Sequence, residues 1–390
     1  MSDFIRSEHT LEDLEKFRDK DGFIDLTKAG INITKNSREK RGTAERIKNW
    51  VDFAGKKVLI RGQPDEIENY SMYAELIVEE IAKQLGIENA HYDLIKIKDE
   101  NGNETFGVLS ESIIDMDKEE LISLHDLIGD EDAPKDEIEY ITYMITTKYD
   151  FTIEKLEERL TRGGYSQDEI QGIMLDYKKR LMFSLLILDS DKHPENISFI
   201  KNINGNGGLR ISPNYDSEFS LLLELDRNSC VDLLKIPFGI ENEADLEEPK
   251  IGIIVKEDDG GWNSMWKDTL EKLIEDDELY DYYNDNLRGK IDIEEIFERV
   301  ENRIHSKIPE NVKKIAQKAY EARSETMEKI IDGTITPAHS FSEGILDKCI
   351  SIGENEGITM DELINIANMM QRDIEKSRQK RDAKDDIEME

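Results

Sequence analysis

A short polar loop between two apolar segments holds the residues best suited to chemistry. It follows an apolar run that ends at Leu188, and it carries Asp191, His193 and Asn196. Polar groups between two buried segments cost free energy unless they pair or meet a ligand. A carboxylate such as Asp191 can take the proton of a hydroxyl group, and the amide oxygen of Asn196 is a hard ligand of the kind that magnesium prefers. The loop therefore predicts a site where a hydroxyl is activated beside a metal ion.

A predicted β-hairpin brings a second aspartate back to this loop. Residues 197–201 and 209–212 have the pattern of strands, and the Asn- and Gly-rich residues between them favour a turn. Asp216 follows the returning strand, where its carboxylate adds a second oxygen ligand. The Asp-x-x-x-x-Asn spacing from Asp191 to Asn196, with another Asp after a hairpin, is typical of sites that transfer phosphoryl groups. A solvated loop followed by an ordinary hairpin is the structural alternative.

A strand and a helix upstream carry further candidate residues. Residues 57–61 predict a strand, and its alternation turns Lys57 and Arg61 to the same face. Residues 69–85 have the apolar spacing of an amphipathic helix, and this helix contains Glu75. The strand face that carries Lys57 and Arg61 is a candidate binding face for a nucleotide.

Another antiparallel pair and a basic segment complete the N-terminal part. Residues 90–97 and 105–113 predict two strands joined by an Asn-Gly turn, with Glu111 at the end of the second. Between residues 35 and 61, nine basic residues stand against three acidic ones. We expect either that residues 36–43 cover the phosphates of a nucleotide or that they form a solvated basic loop.

Three motifs resemble those of the HipA-like serine/threonine kinases. The run Asp-Lys-His-Pro-Glu-Asn-Ile-Ser-Phe, which begins at Asp191, is similar to that family's Asp-Arg-His-x-x-Asn-x-x-Phe loop. Pro213-Asn214-Tyr215-Asp216 resembles its Pro-x-Tyr-Asp, and Tyr73-Ala74-Glu75 resembles its Tyr-Ser-Glu. The resemblance covers roughly residues 37–216. Three positions depart from it: Asp189 where the family usually has Asn, Lys192 in place of Arg, and Arg61 in place of the nucleotide-binding Lys.

The resemblance implies a role for each residue of the loop and the hairpin. Asp191 would orient and deprotonate a substrate hydroxyl, and His193 would orient the loop. Asn196 and Asp216 would hold magnesium, and ATP would be the phosphoryl donor.

It also implies how the nucleotide is held. Arg61 would take the place of the phosphate-binding lysine, with Lys57 as a substitute on the same face. Glu75 would pair with this basic residue, and backbone groups near Glu111 would meet the adenine. Arg and Lys are not interchangeable at such a position, because the planar guanidinium is longer and bulkier than an ammonium.

The implied architecture is an α+β, two-lobed protein-kinase-like fold. Residues 1–113 would form a sheet-containing N-lobe, residues 114–380 a mainly helical C-lobe, and residues 381–390 a charged tail. After residue 113 the pattern turns helical, and a capping box at Ser166 and Glu169 opens the helix that delivers the polar loop. Helices are predicted over residues 140–149, 152–159, 166–188, 261–286, 291–305, 309–331, 337–352 and 359–380.

Composition restricts the partners and the compartment. Acidic residues outnumber basic ones 88 to 52, and the net charge of −36 disfavours binding to nucleic acid or to an anionic membrane. The cysteines, Cys230 and Cys349, form neither a metal spacing nor a disulfide framework. There is no apolar signal core near the start, and no run reaches the roughly 18 apolar residues of a membrane span. We therefore expect a cytoplasmic protein.

Together these patterns predict an ATP- and magnesium-dependent protein Ser/Thr kinase that acts on another protein or on itself. One alternative is a pseudokinase-like module that binds nucleotide or a partner without turnover, because Arg61 replaces the lysine. Another is transfer to a small molecule or a lipid headgroup, and the last is a soluble α+β domain without this chemistry. Because the chain begins almost at the nucleotide lobe, we expect no toxin role, which would call for an extra N-terminal subdomain.

Overall fold

The structure is a computed structural model. It describes residues 5–31, 38–40, 45–62, 70–98, 104–128, 153–189, 192, 196–203, 208–223, 255–256, 262–263 and 266–333. The helices predicted over residues 140–149, 337–352 and 359–380, and the tail 381–390, lie outside these residues. None of the helices within them has the length and apolar character that a bilayer span requires.

Seven strands of the first part of the chain form one sheet. They are β1 (Ile5–Ser7), β2 (Ile24–Asp25), β3 (Arg38–Lys40), β4 (Glu45–Phe53), β5 (Lys56–Gly62), β6 (Tyr92–Lys98) and β7 (Glu104–Glu111). Their order is β1-β4-β5-β7-β6-β2, with β3 paired to β4. The pairs β1–β4 and β2–β6 are parallel, and the other pairs are antiparallel. The predicted strand over residues 57–61 and the predicted β6–β7 hairpin are confirmed.

Strands β3 and β4 were not predicted from the sequence. They form an antiparallel hairpin inside the basic segment. The second half of β4 alternates as a strand should, because Val51 and Phe53 are buried and Asp52 between them is half-buried. Charged residues in its first half hide that period in the sequence. The predicted role of residues 36–43 as a phosphate cover stays a prediction, because only residues 38–40 of that range are described.

Helix α1 (Ser71–Gln84) is buried along nearly its whole length. Every residue from Tyr73 to Ala82 is buried, so the helix is enclosed on more than the one face typical of a surface helix. It ends as predicted before Gly86, whose φ of 68° is the left-handed conformation favoured for glycine after a helix. Glu75 is therefore held at a fixed place between the sheet and the helices that follow.

The described residues after β7 are mainly helical. Their helices are α2 (Leu124–Ile128), α3 (Ile153–Arg162), α4 (Gln167–Leu186), α5 (Trp266–Ile274), α6 (Asp277–Tyr282), α7 (Ile293–Ile304) and α8 (Glu310–Ile331). The predictions over residues 152–159, 166–188, 291–305 and 309–331 are confirmed. The single helix predicted over residues 261–286 is wrong. Asp276 caps a new helix by accepting a bond from the Glu278 N–H, and a π-helical turn (Tyr283–Leu287) follows it.

Helix α4 begins at the predicted capping box. The Ser166 hydroxyl accepts a bond from the Glu169 N–H, and the Glu169 carboxylate accepts one from the Ser166 N–H at 2.9 Å. Replacing Ser166 by Ala is expected to lower the free energy of unfolding by about 1 kcal/mol, because an N–H at the helix start loses its partner. Urea unfolding of both proteins measures this difference, and equal stability would contradict it.

A second, three-stranded sheet carries the predicted hairpin. Its strands are β8 (Glu119–Ser123), β9 (Ser198–Asn202) and β10 (Arg210–Ile211), in the order β10-β9-β8. The β9–β10 hairpin is confirmed. The expectation of helix directly after residue 113 is wrong, because β8 precedes α2. The side chains of β8 are half-buried or exposed, so its sequence lacks an apolar alternation, and its pairing with β9 is a tertiary contact. A further short pair joins β11 (Val255–Lys256) to β12 (Trp262–Asn263).

Two apolar cores stabilise the described part of the chain. The smaller one lies against the sheet and includes Val58 and Ile60 of β5 and Leu14 of a 3-10 helix (Glu12–Phe17). The larger one includes Leu76 of α1 together with Phe183 of α4. Helix α1 thus packs with the C-terminal helices as well as with the sheet. The predicted lobe boundary after residue 113 stays a prediction.

Ion pairs also connect α1 to the C-terminal helices. The Arg303 Nη1 of α7 lies 2.9 Å from a carboxylate oxygen of Glu79 and 2.9 Å from one of Glu80. His91 Nδ1 lies 2.7 Å from the other oxygen of Glu79. Burial opposes the ionisation of Glu79, but the bond with His91 and the charge of Arg303 outweigh it and lower its pKa to about 2. Gln84 adds a bond from its amide to the Lys290 carbonyl.

Candidate active site

Arg61 joins three elements of the fold through one guanidinium group. Its Nη2 forms an ion pair with Glu75 of α1, and its Nη1 forms another with Asp216 in the segment after β10. Nη1 also lies 3.9 Å from a carboxylate oxygen of Glu218. The ring of Tyr92 from β6 lies beneath the guanidinium, 5.9 Å from its Cζ. The forked shape of the guanidinium lets its two ends bond two different carboxylates at once.

The charges of this cluster change the acidity of its members. Burial opposes the charge of Arg61, but Asp216, Glu75 and Glu218 raise its pKa well above the ordinary value. Burial raises the pKa of Glu75 to about 7; Arg61 opposes this rise, and Asp216 and Glu218 add to it. Three carboxylates share one guanidinium here, so this group of four side chains has an excess of negative charge.

The raised pKa of Glu75 predicts a pH-dependent contribution to stability. Its ordinary value is 4.5, so between pH 4.5 and about 7 the folded protein keeps a proton that the unfolded chain has lost. The free energy of unfolding therefore falls as pH rises through this window. Glu75→Gln removes the titration, so its stability relative to the wild type should rise with pH, by at most about 1.4 kcal/mol per pH unit. Urea unfolding of both proteins across this window measures the slope, and a constant difference would contradict it.

The backbone around Asp216 is fixed by several hydrogen bonds. The Asp216 N–H donates to the Tyr92 hydroxyl at 2.9 Å, and the Ser217 N–H donates to Glu75 at 2.9 Å. The Asn214 side-chain amide donates to the Asn89 side chain and to the Ser217 hydroxyl, both at 2.9 Å. Asp216 itself has a φ of 57°, in the left-handed region. The carboxylate of Asp216 is thus aimed by the surrounding structure.

A buried ion pair contacts the residue that precedes Asp216. Lys192 Nζ lies 3.0 Å from the Asp189 carboxylate, which follows the end of α4, and both side chains are almost fully buried. The same Nζ donates to the Tyr215 carbonyl at 3.1 Å. The Tyr215 hydroxyl in turn lies 2.7 Å from the Ser198 hydroxyl. Asp189 and Lys192, two positions that depart from the family pattern, are therefore partners in space.

Comparison with solved structures identifies this arrangement of elements. A chain of the Helicobacter pylori proinflammatory kinase CtkA is similar, with a TM-score of 0.53 and 13% sequence identity, over 74% of this chain and 95% of that chain. The fold is that of a kinase. HipA of the Shewanella oneidensis MR-1 toxin–antitoxin system, in its complex with HipB and operator DNA, is a weaker match, with a TM-score of 0.41 and 14% identity over 77% of this chain and 67% of that chain.

Comparisons by sequence give no match. No protein-family model matches the chain, and no curated protein matches it. The predicted α+β, two-lobed protein-kinase-like architecture is confirmed, and the expected resemblance to kinases is confirmed as a likeness of fold.

The kinase fold brings three of the predicted site residues together. Arg61, Glu75 and Asp216 are in direct contact. Asn196 lies two residues before Ser198, whose hydroxyl contacts Tyr215, so the β9–β10 hairpin returns the chain towards Asp216 as predicted. The other two residues of the predicted loop chemistry, Asp191 and His193, lie outside the described residues.

The remaining two predicted residues lie on the same sheet. Lys57 is half-buried and forms an ion pair with Asp52 of the neighbouring strand. Glu111 is the last residue of β7; its N–H donates to the His91 carbonyl at 3.2 Å, and its carboxylate lies 4.0 Å from Lys56. The roles of Lys57 and Glu111 in holding a nucleotide stay predictions.

The donor set of this kinase fold suits a magnesium–nucleotide. In the part of the chain that the structure describes, no three His, Cys, Asp or Glu side chains form a ready-made metal site. Magnesium usually binds through one or two carboxylates together with substrate phosphates, and Asp216 with the amide of Asn196 offers that kind of set. Asp216 and Asn196 therefore have the chemistry of magnesium ligands.

A glycine of β7 permits the close approach of the backbone that carries Arg61. A Cβ at Gly107 would lie 1.9 Å from the Arg61 carbonyl oxygen. We expect Gly107→Ala to lower the free energy of unfolding by about 1–3 kcal/mol, because two paired strands must separate. Gly172→Ala is the matched control: a Cβ there meets nothing within 4 Å, and within helix α4 it should stabilise by up to about 1 kcal/mol. Urea unfolding measures both changes, and similar effects at the two sites would contradict the expectation.

Several residues of the cluster were not indicated by the sequence. Glu218 and Tyr92 contact Arg61, and the ion pair between Asp189 and Lys192 holds Tyr215. Glu218 could have been suspected, because it is a second acidic residue in the same segment, two residues after Asp216. Tyr92 gave no signal, because its contact with Arg61 joins two strands that are distant in sequence.

Proposed function

We propose that this protein is an ATP- and magnesium-dependent phosphotransferase that transfers the γ-phosphoryl group to a Ser or Thr hydroxyl of a protein. The observation that carries this proposal is the ion-pair bridge from Arg61 to both Glu75 and Asp216. In a kinase fold this bridge joins the phosphate-binding position of the sheet, the acidic residue of the helix and the metal-binding segment. The transferred group would come from ATP, and magnesium when bound would neutralise charge on the phosphate oxygens.

The residues of the chain have separate tasks in this proposal. Arg61 bonds phosphate oxygens and is oriented by Glu75. Asn196 of the polar loop and Asp216 after the hairpin supply oxygen ligands for the metal. Asp191 accepts the proton of the acceptor hydroxyl while that oxygen bonds to phosphorus and the bond to the leaving ADP breaks. Positioning and charge neutralisation account for most of such catalysis.

The test is phosphate incorporation by the purified protein. The protein is incubated with magnesium and γ-labelled ATP, alone and with a basic protein mixture as acceptor, beside Asp191→Ala. We expect label on Ser or Thr that the variant does not acquire. Thermal stabilisation by ATP should be the same for both proteins, because Asp191 does not hold the nucleotide. Equal labelling of Asp191→Ala would overturn the mechanism, and label on an added lipid or small molecule alone would change the acceptor class.

A second candidate function is favoured by the contact between Arg61 and Asp216. This contact occupies one carboxylate oxygen of the proposed metal ligand with a cation of the protein. A module that binds nucleotide without turnover would keep that contact. Stabilisation by ATP that is independent of magnesium, with no phosphate incorporation, would support this second function.

A further inference from the structure

We infer that Lys192 is a positioning residue that couples the polar loop to the segment carrying Asp216. This inference deepens the proposed function and rests on it. Lys192 is adjacent in sequence to Asp191, the proposed proton acceptor. Its Nζ reaches the carbonyl of Tyr215, which is adjacent to Asp216, the proposed metal ligand. One side chain therefore joins the sequence neighbour of Asp191 to the sequence neighbour of Asp216.

The surroundings of Lys192 make this link rigid. The side chain is 1% exposed and its counter-ion Asp189 is 0% exposed, at a distance of 3.0 Å. A buried ammonium needs both a counter-charge and hydrogen-bond acceptors, and here Asp189 and the Tyr215 carbonyl meet these needs. Lys192 and Asp189 cannot exchange their bond for one to water without exposing a charge. Lys192 therefore stays in contact with the segment that carries Tyr215 and Asp216.

The position of Asp189 connects this link to the core. The Asp189 N–H donates to the Ser184 carbonyl at 3.0 Å, at the end of helix α4. The preceding turn is also fixed, since the Leu221 N–H donates to the Ile187 carbonyl at 2.9 Å. The long helix, the polar loop and the segment after β10 therefore meet at Lys192.

The experiment compares a double variant with a control at another buried ion pair. Lys192→Met/Asp189→Asn removes the link without leaving an unpaired buried charge, so it should fold. Arg18→Met breaks a comparable pair beside β6, where Arg18 Nη2 lies 2.8 Å from Asp93, outside the two site segments. Each protein is assayed for kcat per folded molecule, for KM towards ATP and for the magnesium concentration that gives half-maximal activity.

A positioning role predicts a specific set of changes. In the double variant kcat should fall about 10- to 100-fold and the half-maximal magnesium concentration should rise, while KM for ATP stays within about twofold. Arg18→Met should lower the unfolding midpoint and leave all three constants unchanged. If the wild type is active and the double variant has the same kcat and the same magnesium dependence, the inference is overturned but the proposed function is not.

A second readout separates this inference from the proposed function. Magnesium should tighten the binding of a non-hydrolysable ATP analogue to the wild type, and calorimetry should show that the double variant loses most of this effect. If the wild type binds the analogue in this way but transfers no phosphate, the calorimetric result alone decides the inference. If magnesium has no effect on binding and no phosphate is transferred, the proposed function and this inference are both overturned.

Discussion

Asp216→Asn is expected to reduce phosphate transfer at least about 100-fold while the protein stays folded. A bound metal contributes several kcal/mol to stabilising the transferring group, and each 1.4 kcal/mol is a factor of ten in rate. The stability should change little, because the variant loses the pair with Arg61 but also loses the repulsion of Asp216 towards Glu75. Asparagine is the suitable substitution, since Asn tolerates the left-handed φ of 57° at this position better than Ala does.

Magnesium titrations of both proteins provide the measurement. The variant should need more magnesium for its residual activity, and its unfolding midpoint in urea should stay near that of the wild type. Asp285→Asn, at an exposed position outside both site segments, is the control and should match the wild type in each assay. An Asp216→Asn protein with normal activity and normal magnesium dependence would remove Asp216 from the proposed site.

Arg61→Met is expected to destabilise the protein by about 3–5 kcal/mol at pH 8 and by less at pH 6. Removing one partner of a buried ion pair leaves an uncompensated charge, which accounts for a cost of this size. The pKa of Glu75 is already about 7 with Arg61 present, so without Arg61 it rises further and the carboxyl group takes up a proton at the lower pH. Protonation removes most of the uncompensated charge there.

Urea unfolding of wild type and variant at the two pH values tests this expectation. The double variant Arg61→Met/Glu75→Gln is the matched comparison, because it removes the charge together with its partner and should recover part of the stability at pH 8. Arg61→Lys should be intermediate, since one ammonium group cannot reproduce the fork that bonds Glu75 and Asp216 with separate nitrogens. A loss that is equal at both pH values would show that the charge of Glu75 does not control the effect.

The elements that carry the candidate site could largely be predicted from local patterns. Strand alternation located β5 with Arg61, helical spacing located α1 with Glu75, and the turn residues located the hairpin before Asp216. Each of these signals lies within about twenty residues of sequence. Strand β8 was missed because its half-exposed side chains have no alternation, and β4 because charges conceal its period.

The contacts within the site could be predicted only in part. The pairing of Arg61 with Glu75 followed from the resemblance. The approach of Glu218 and the ring of Tyr92 depend on how the sheet, the helix and the hairpin pack, which no local pattern specifies. The same holds for Lys192, which is polar in sequence but is among the largest fully buried side chains of the described residues.

The ion pairs of helix α1 with Arg303 restrict which small molecules can inhibit this protein. A ligand that displaced this helix from the proposed nucleotide site would have to break the contacts that hold it. Such a displacement would separate Glu79 and Glu80 from Arg303 and break the bond from Gln84 to Lys290. A ligand must supply that free energy from its own differential affinity for the displaced state. We therefore expect compounds that occupy the proposed nucleotide site with the helix in place to bind more tightly than those that displace it.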